Sequence, residues 1–256
     1  MNTIHSATEA TRHRVALVTG ASSGIGEALA AALAARGTHV ILVARRRDRL
    51  EELASRIEAT GGRATVLPAD LAAPGAAERI HDEVERLGLN IDLLVNNAGF
   101  NLSVGGAEES SIQQAKEIFD TNFFGIVRTT LAVVPHMRRQ RSGHIINIGS
   151  VLGFMPMPYM ALYAATKHAI EGYSVSVDHE LRAMGISVSV IEPAFMKTGI
   201  DANSRDLDSK LDEYREVRTA VDKRVKQMLD MAEDPNVVAD TVLKVVTTCN
   251  PKTRYT

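Results

Sequence analysis

Short apolar runs alternate with longer amphipathic stretches along almost the whole chain. Residues 15–18, 39–43, 64–67, 91–95, 144–148 and 186–191 are short runs rich in apolar side chains, several of them nearly continuous as in strands buried on both faces. The stretches between them carry apolar residues at helical spacing. They predict helices after Gly26, over 48–59, 74–87 and 159–184, from after Ser111 to about Arg139, and over 236–248. Punctuation agrees: Gly37 suits a helix C-cap, Gly61-Gly62 ends a helix, and Pro74 sits where a first turn tolerates a missing N–H. Strands that alternate with helices require crossovers, which are right-handed in parallel sheets. The pattern therefore predicts an α/β fold: one doubly wound domain over 14–256, a parallel sheet of six to seven strands with helices on both faces.

Three stretches depart from the alternation. Residues 1–13 are polar and read as a disordered leader, because they lack the apolar stretch of a signal peptide. Residues 197–234 are charged and helical with no strand. They read as a lid inserted over the C-terminal edge of the sheet, where such folds bind ligands. A strand begins again near Arg254, giving either a very short seventh strand or one that continues past Thr256.

Composition narrows the function classes. A net charge of −2 favours neither nucleic acid nor an anionic membrane, and the Arg138, Arg139, Arg141 cluster suits the negative end of a helix dipole. The single cysteine, Cys249, excludes an internal disulfide and fits a reducing compartment. The eight histidines form neither a His-Glu-x-x-His pattern nor a Cys/His cluster, so no metal is expected. No apolar run approaches the roughly 18 residues of a membrane span, and a soluble, cytoplasmic protein is expected.

Two spacings carry chemistry. Thr19-Gly20-Ala21-Ser22-Ser23-Gly24-Ile25-Gly26 lies between the first strand and the first helix. Its small residues let the backbone approach a phosphate, and the helix N-terminus adds partial positive charge. The same residues satisfy Gly-x-Ser-x-Gly, so a hydrolase nucleophile at Ser22 is a rival reading. That reading lacks the strands that precede such an elbow and a well-placed later histidine. In Tyr163-Ala164-Ala165-Thr166-Lys167, the phenol and the ammonium share one helix face at i and i+4. A cation beside tyrosine favours the phenolate and moves its pKa from about 10 toward the range of useful acid–base transfer.

Thr19-Gly20-x-x-x-Gly24-x-Gly26, Asn96-Asn97-Ala98-Gly99, Asn122, Ser150, Tyr163-x-x-x-Lys167 and Pro193 with Thr198 together resemble the short-chain dehydrogenase/reductase family. The ordered set spans about residues 14 to 200; the softer likeness is to hydroxysteroid and retinol dehydrogenase-like members. The resemblance implies a Rossmann-like fold and a nicotinamide cofactor. It implies that Tyr163 exchanges a proton with the substrate oxygen, that Ser150 hydrogen-bonds this oxygen, and that Lys167 lowers the Tyr163 pKa and holds the nicotinamide ribose. Asn122 would hold a water in a proton relay. Gly20, Ser22, Ser23, Gly24, Ile25, Gly26, Asp70, Leu71, Asn97, Ala98, Gly99, Pro193 and Thr198 would meet the cofactor, with Asn96 lining the adenosine ribose. The resemblance also implies a homodimer or homotetramer through the two long helices. The family's usual Pro-Gly is Pro193-Ala194 in this chain.

The end of the second strand reads Val43-Ala44-Arg45-Arg46-Arg47, with no carboxylate before Asp48. An NAD site places an acid there to bind the ribose 2′-hydroxyl, whereas guanidinium groups suit a 2′-phosphate. NADP(H) is therefore expected, with Arg45 as main contact and Arg46 as second. The apolar run 151–160 follows Ser150 and, with Phe195 and Met196, favours a hydrophobic alcohol or carbonyl substrate, with Ser150, Leu152, Tyr163 and Phe195 as its contacts. Core or subunit packing explains the same run equally well. A regulator that binds NADP(H) without turnover is the further alternative.

Overall fold

The computed structural model describes residues 13–198 and 204–256. The expected leader lies outside the described residues except for His13, whose carbonyl accepts from Thr38 Oγ1 at 3.0 Å. Seven parallel strands form one sheet: β1 (Val15–Thr19), β2 (His39–Ala44), β3 (Arg63–Pro68), β4 (Leu93–Asn96), β5 (Gly143–Ile148), β6 (Ile186–Ile191) and β7 (Arg254–Tyr255). Their order is β3-β2-β1-β4-β5-β6-β7. The seventh strand has two residues, paired as Val190 with Arg254 and Ile191 with Tyr255.

Alternate side chains of each strand feed two cores, as the two-residue period of a strand requires. Ala16, Val18, Val40, Leu42 and Val95 pack against α1 (Gly24–Ala34), α2 (Arg47–Ala59) and α8 (Asn236–Thr247). Val15, Leu17, Ile41, Val43 and Leu94 pack on the other face, under α3 (Ala76–Arg86), α5 (Gly125–Gln140) and α6 (Ala161–Leu181). The order reverses at β1, where neighbours β2 and β4 diverge. Such a switch point leaves a crevice beyond the strand C-termini.

Three predicted helices differ from the structure. The helix expected from Pro74 starts at Ala76, because Gly75 caps it in a left-handed conformation (φ +70°). The long helix after Ser111 comprises α4 (Ile112–Phe119), a wide π-type turn over Asp120–Phe124, and α5. The third, α6, starts at Ala161 rather than Tyr159, whose φ of +65° lies outside the helical range. Within 197–234 the structure describes one long helix, α7 (Arg215–Asp230), bridged to the rest by Leu102–Arg205 and Met196–Glu233 pairings. Among the described residues no helix is long and apolar enough to cross a membrane.

Candidate active site

The glycine turn is shaped by close packing. Gly20 (φ +66°) and Gly24 (φ +59°) adopt conformations that L side chains avoid. A Cβ on Gly26 would stand 2.4 Å from the Gly20 carbonyl oxygen and 2.5 Å from Asn97 Nδ2. The turn is tied to the end of β4 through Thr19, whose Oγ1 accepts from the Asn97 and Ala98 amides at 2.9 and 3.1 Å. Asn97 Nδ2 donates back to the Thr19 carbonyl at 3.1 Å. Gly26 is buried behind this turn, whereas Gly20, Ser22, Ser23, Gly24 and Ile25 line a cleft of about 210 Å³. Arg45, Arg46, Asp70, Leu71, Asn97, Ala98, Gly99 and Thr198 line the same cleft, as do Ala69 and Thr121, which the sequence reading missed.

Arg46 reaches back over the turn. Its Nη2 donates to Ser22 Oγ at 3.0 Å and to Ser23 Oγ at 2.9 Å. The Ser22 hydroxyl therefore faces a permanent cation, where a hydrolase nucleophile requires a base.

Asn96 does not line the cleft. It is 1% exposed and belongs to a buried chain of polar side chains. Thr129 Oγ1 donates to its Oδ1 at 2.7 Å, and its Nδ2 donates to Asn147 Oδ1 at 2.9 Å. Asn147 in turn donates to Ser174 Oγ at 2.8 Å. Side chains alternate along β4, so Asn96 points into the core, and it is Asn97, just past the strand, that reaches the cleft.

A second cavity of about 290 Å³ adjoins the cleft and shares Ile25, Asn97, Gly99, Phe100 and Thr198 with it. Its walls bring together Asn122 from the wide turn, Ser150 after β5, and Tyr163 and Lys167 from α6. Leu152, Pro193, Ala194 and Phe195 also line it. Ser150 has extended backbone, and its Oγ accepts from the Leu152 amide at 3.1 Å, capping the short turn that turns the chain into the cavity wall. Lys167 Nζ donates to the Ile148 carbonyl at 2.9 Å and lies 5.5 Å from the centre of the Tyr163 ring. Burial pushes the Lys167 ammonium down to about 8, against a smaller opposing pull from the Glu171 carboxylate one turn on. Asn122 is fastened by both ends of its amide: Oδ1 accepts from Phe100 N–H at 3.0 Å, and Nδ2 donates to the Phe100 carbonyl at 2.9 Å.

Sequence reasoning did not single out the residues of two further walls of this cavity, the second of which comes from the stretch 197–234. Phe100, Asn101, Leu102 and Val104 come from the loop after β4; Asp222, Val225, Lys226 and Leu229 come from α7. The spacing 222, 225, 226, 229 marks one face of a helix, and that periodicity was the available signal.

A doubly wound sheet with a glycine-lined cleft at its switch point is the architecture of a dinucleotide-binding protein, and here the cleft opens onto a pocket that holds a tyrosine and a lysine one helical turn apart. The family described as short chain dehydrogenase matches residues 14–208, and the chain belongs to it. Dehydrogenase/reductase SDR family member 7B of Bos taurus is 34% identical over 77% of this chain, which spans 62% of that protein's length. A fatty acyl-CoA reductase of Acinetobacter baylyi is 35% identical, over 77% of this chain and 67% of that one. A solved short-chain dehydrogenase from Streptomyces avermitilis is 32% identical with a TM-score of 0.83, covering 94% of this chain and 87% of that one. Related structures hold either form of the cofactor. A metagenomic short-chain oxidoreductase is in complex with NADP (27% identity, TM-score 0.78, 97% of each chain). A Burkholderia phymatum short chain dehydrogenase/reductase is in complex with NAD (25% identity, TM-score 0.83, 96% of this chain and 89% of that one). A nicotinamide dinucleotide is thus the supported cofactor.

Proposed function

We propose that this chain is an NADP(H)-dependent oxidoreductase that interconverts an apolar alcohol and its carbonyl compound. The observation that carries this reading is the convergence of Ser150, Tyr163, Lys167 and Asn122 on one cavity, whose wall is continuous with a cleft bearing two arginines. The cleft fits the cofactor: glycines keep its floor free of side chains, and the Arg46 fork at the turn suits a phosphate. Gly20, Ser22, Ser23, Gly24 and Ile25 would cradle the pyrophosphate, Gly26 would keep that turn tight from behind, and Arg45 and Arg46 would face a 2′-phosphate. Asp70, Leu71, Asn97, Ala98, Gly99, Pro193 and Thr198 would hold the remaining groups. When bound, the nicotinamide supplies the hydride.

The protein's own residues manage the proton. Ser150 Oγ donates to the carbonyl oxygen and favours the charge that develops there. Tyr163 gives its phenolic proton to that oxygen in reduction and takes it back in oxidation. Lys167, charged at neutral pH and close to the ring, favours the phenolate left behind. Asn122 fastens the Phe100 backbone through both ends of its amide and reaches Thr166 Oγ1 of α6 at 3.4 Å, which places the residue beside Lys167's helix for the water-borne proton relay that the family resemblance implies. Leu152 and Phe195, with Phe100, Leu102, Val225 and Leu229, give the cavity an apolar lining and support a hydrophobic substrate. Exposed Phe124 and Leu131 on the α4–α5 run support a homo-oligomer, and the reducing cytoplasm suits Cys249.

The test is a fluorescence titration with NADPH and, in parallel, NADH. NADPH is expected to bind far more tightly. Arg46→Ala should weaken NADPH about 10–100-fold, the worth of a charge-assisted contact, and NADH far less, through the freed Ser22 and Ser23 side chains alone. Equal affinity for both nucleotides would overturn the arginine assignment, and binding of neither would overturn the oxidoreductase reading.

A further inference from the structure

Away from the reacting groups, one carboxylate joins three stretches of chain. Glu109 has a fully buried side chain, which for a glutamate demands partners. Its Oε2 accepts from the Gly106 amide at 2.7 Å, and its Oε1 accepts from the Leu211 amide at 2.7 Å. Oε1 also accepts from Arg218 Nη1, which donates in addition to the Leu211 carbonyl at 2.9 Å. Arg218 is itself only 15% exposed. Beside this pair, Tyr214 lies over Gly106, where a Cβ would come within 2.8 Å of the ring, and its hydroxyl donates to Glu108 at 2.7 Å. Arg218 opens the face of α7 that continues through Asp222, Val225 and Leu229, the face that walls the larger cavity.

We propose that the Glu109–Arg218 pair is a positioning device that sets how closely Val225 and Leu229 approach the substrate. It thereby governs substrate affinity without taking part in hydride or proton transfer. The inference rests on the oxidoreductase reading for the identity of the ligand in the cavity. Its physical basis is the asymmetry of buried ion pairs. The intact pair adds little net stability, but removing one partner leaves an uncompensated buried charge. Without Arg218, the penalty on Glu109 is relieved when the segment from Leu211 to α7 lifts toward water, carrying the cavity wall with it. Substrate then binds only the minority of molecules with the wall in place, and apparent affinity falls by that fraction. Neither residue lines the nucleotide cleft, so cofactor affinity is independent of the pair.

The test compares the parent, Arg218→Met, Arg218→Lys and the double variant Glu109→Gln/Arg218→Met, with NADPH and an apolar ketone. Arg218→Met is expected to raise KM for the ketone about tenfold or more, with kcat within about twofold and NADPH affinity unchanged. Arg218→Lys keeps the charge but loses the fork and should fall between the two. The double variant has no stranded charge, and although its amide nitrogen leaves one of the two backbone N–H donors without an acceptor, its KM should return part of the way toward the parent's, a recovery that mere loss of packing would not give. Hydrogen exchange over 204–230 should quicken in Arg218→Met, slow again in the double variant, and stay unchanged over 13–96. An unchanged KM in Arg218→Met, or a fall in NADPH affinity alongside it, overturns the proposal. If the parent reduces no carbonyl compound, the exchange arm decides alone. Faster exchange confined to 204–230 supports the latch and assigns the failure to the oxidoreductase reading; unchanged exchange overturns the latch.

Discussion

The same substitution, glycine to alanine, should have opposite consequences at two places in this chain. At position 26 the new Cβ would lie 2.4 Å from the Gly20 carbonyl oxygen, whereas carbon–oxygen contacts begin at about 3.3 Å. Nearly 1 Å must therefore be found, as a ~0.9 Å shift of backbone rather than of a flexible side chain. The obstacle is the carbonyl of Gly20, already held at φ +66°, together with the Asn97 amide that fastens the turn to β4. Overpacking of this kind costs about 1–3 kcal/mol. The distortion falls on the floor of the nucleotide cleft, so NADPH affinity should drop about 10–100-fold, one decade for each 1.4 kcal/mol. At Gly172, in the interior of α6, the added Cβ would meet nothing within 4 Å beyond the helix's own backbone and its chain neighbours. Alanine there should stabilise the protein by about 0.5–1 kcal/mol through helix propensity and leave NADPH binding alone. Thermal melts and NADPH fluorescence titrations on the two variants suffice. A Gly26→Ala protein that binds NADPH like the parent would refute the argument that this turn is shaped by close approach.

Two further outcomes depend on titration. With the buried Lys167 ammonium at about 8, kcat/KM for carbonyl reduction should fall about tenfold per pH unit above that value. Arginine stays charged, so Lys167→Arg should move this limb upward; a limb at the same pH in both proteins would assign it to another group. Burial also pushes the His144 imidazole, which meets Ser189 Oγ at 3.0 Å, down to about 3. The unfolded chain binds that proton below about 6.5 and the folded one does not. The stability that neutral His144 provides is therefore complete above about 6.5 and is lost toward pH 3 at about 1.4 kcal/mol per unit. Denaturant unfolding at pH 7 and pH 4.5 should show His144→Gln less acid-sensitive than the parent by about 2–3 kcal/mol; equal sensitivity would contradict this.

Much of the fold is legible because strand signals here are strong. Runs such as Val40-Ile41-Leu42-Val43 are buried on both faces and bounded by glycine and charge. The stretch from after Ser111 to about Arg139 reads as one helix because the wide turn at Asp120–Phe124 shifts the helical phase with neither proline nor glycine inside it. Asn96 and Asn97 are adjacent and chemically identical, so only the pleat of β4 decides which one enters the core. The arginine run at 45–47 is visible, but Arg46 is singled out by Ser22 and Ser23, more than twenty residues earlier, which no local pattern indicates. Glu109 is hidden more thoroughly still. In the stretch Glu108-Glu109-Ser110-Ser111 it looks like a solvated helix approach, yet its partner Arg218 is 109 residues away.

The proposed function stands or falls with Tyr163 supplying the proton while NADPH reduces an apolar carbonyl compound. The most direct measurement follows NADPH consumption by the parent and by Tyr163→Phe over a panel of apolar and polar carbonyl compounds, with NADPH affinity measured for both proteins. The parent should turn over apolar substrates, and Tyr163→Phe should lose about 10²-fold or more at unchanged NADPH affinity. Equal rates in the two proteins, or no turnover by a parent that binds NADPH, would contradict it.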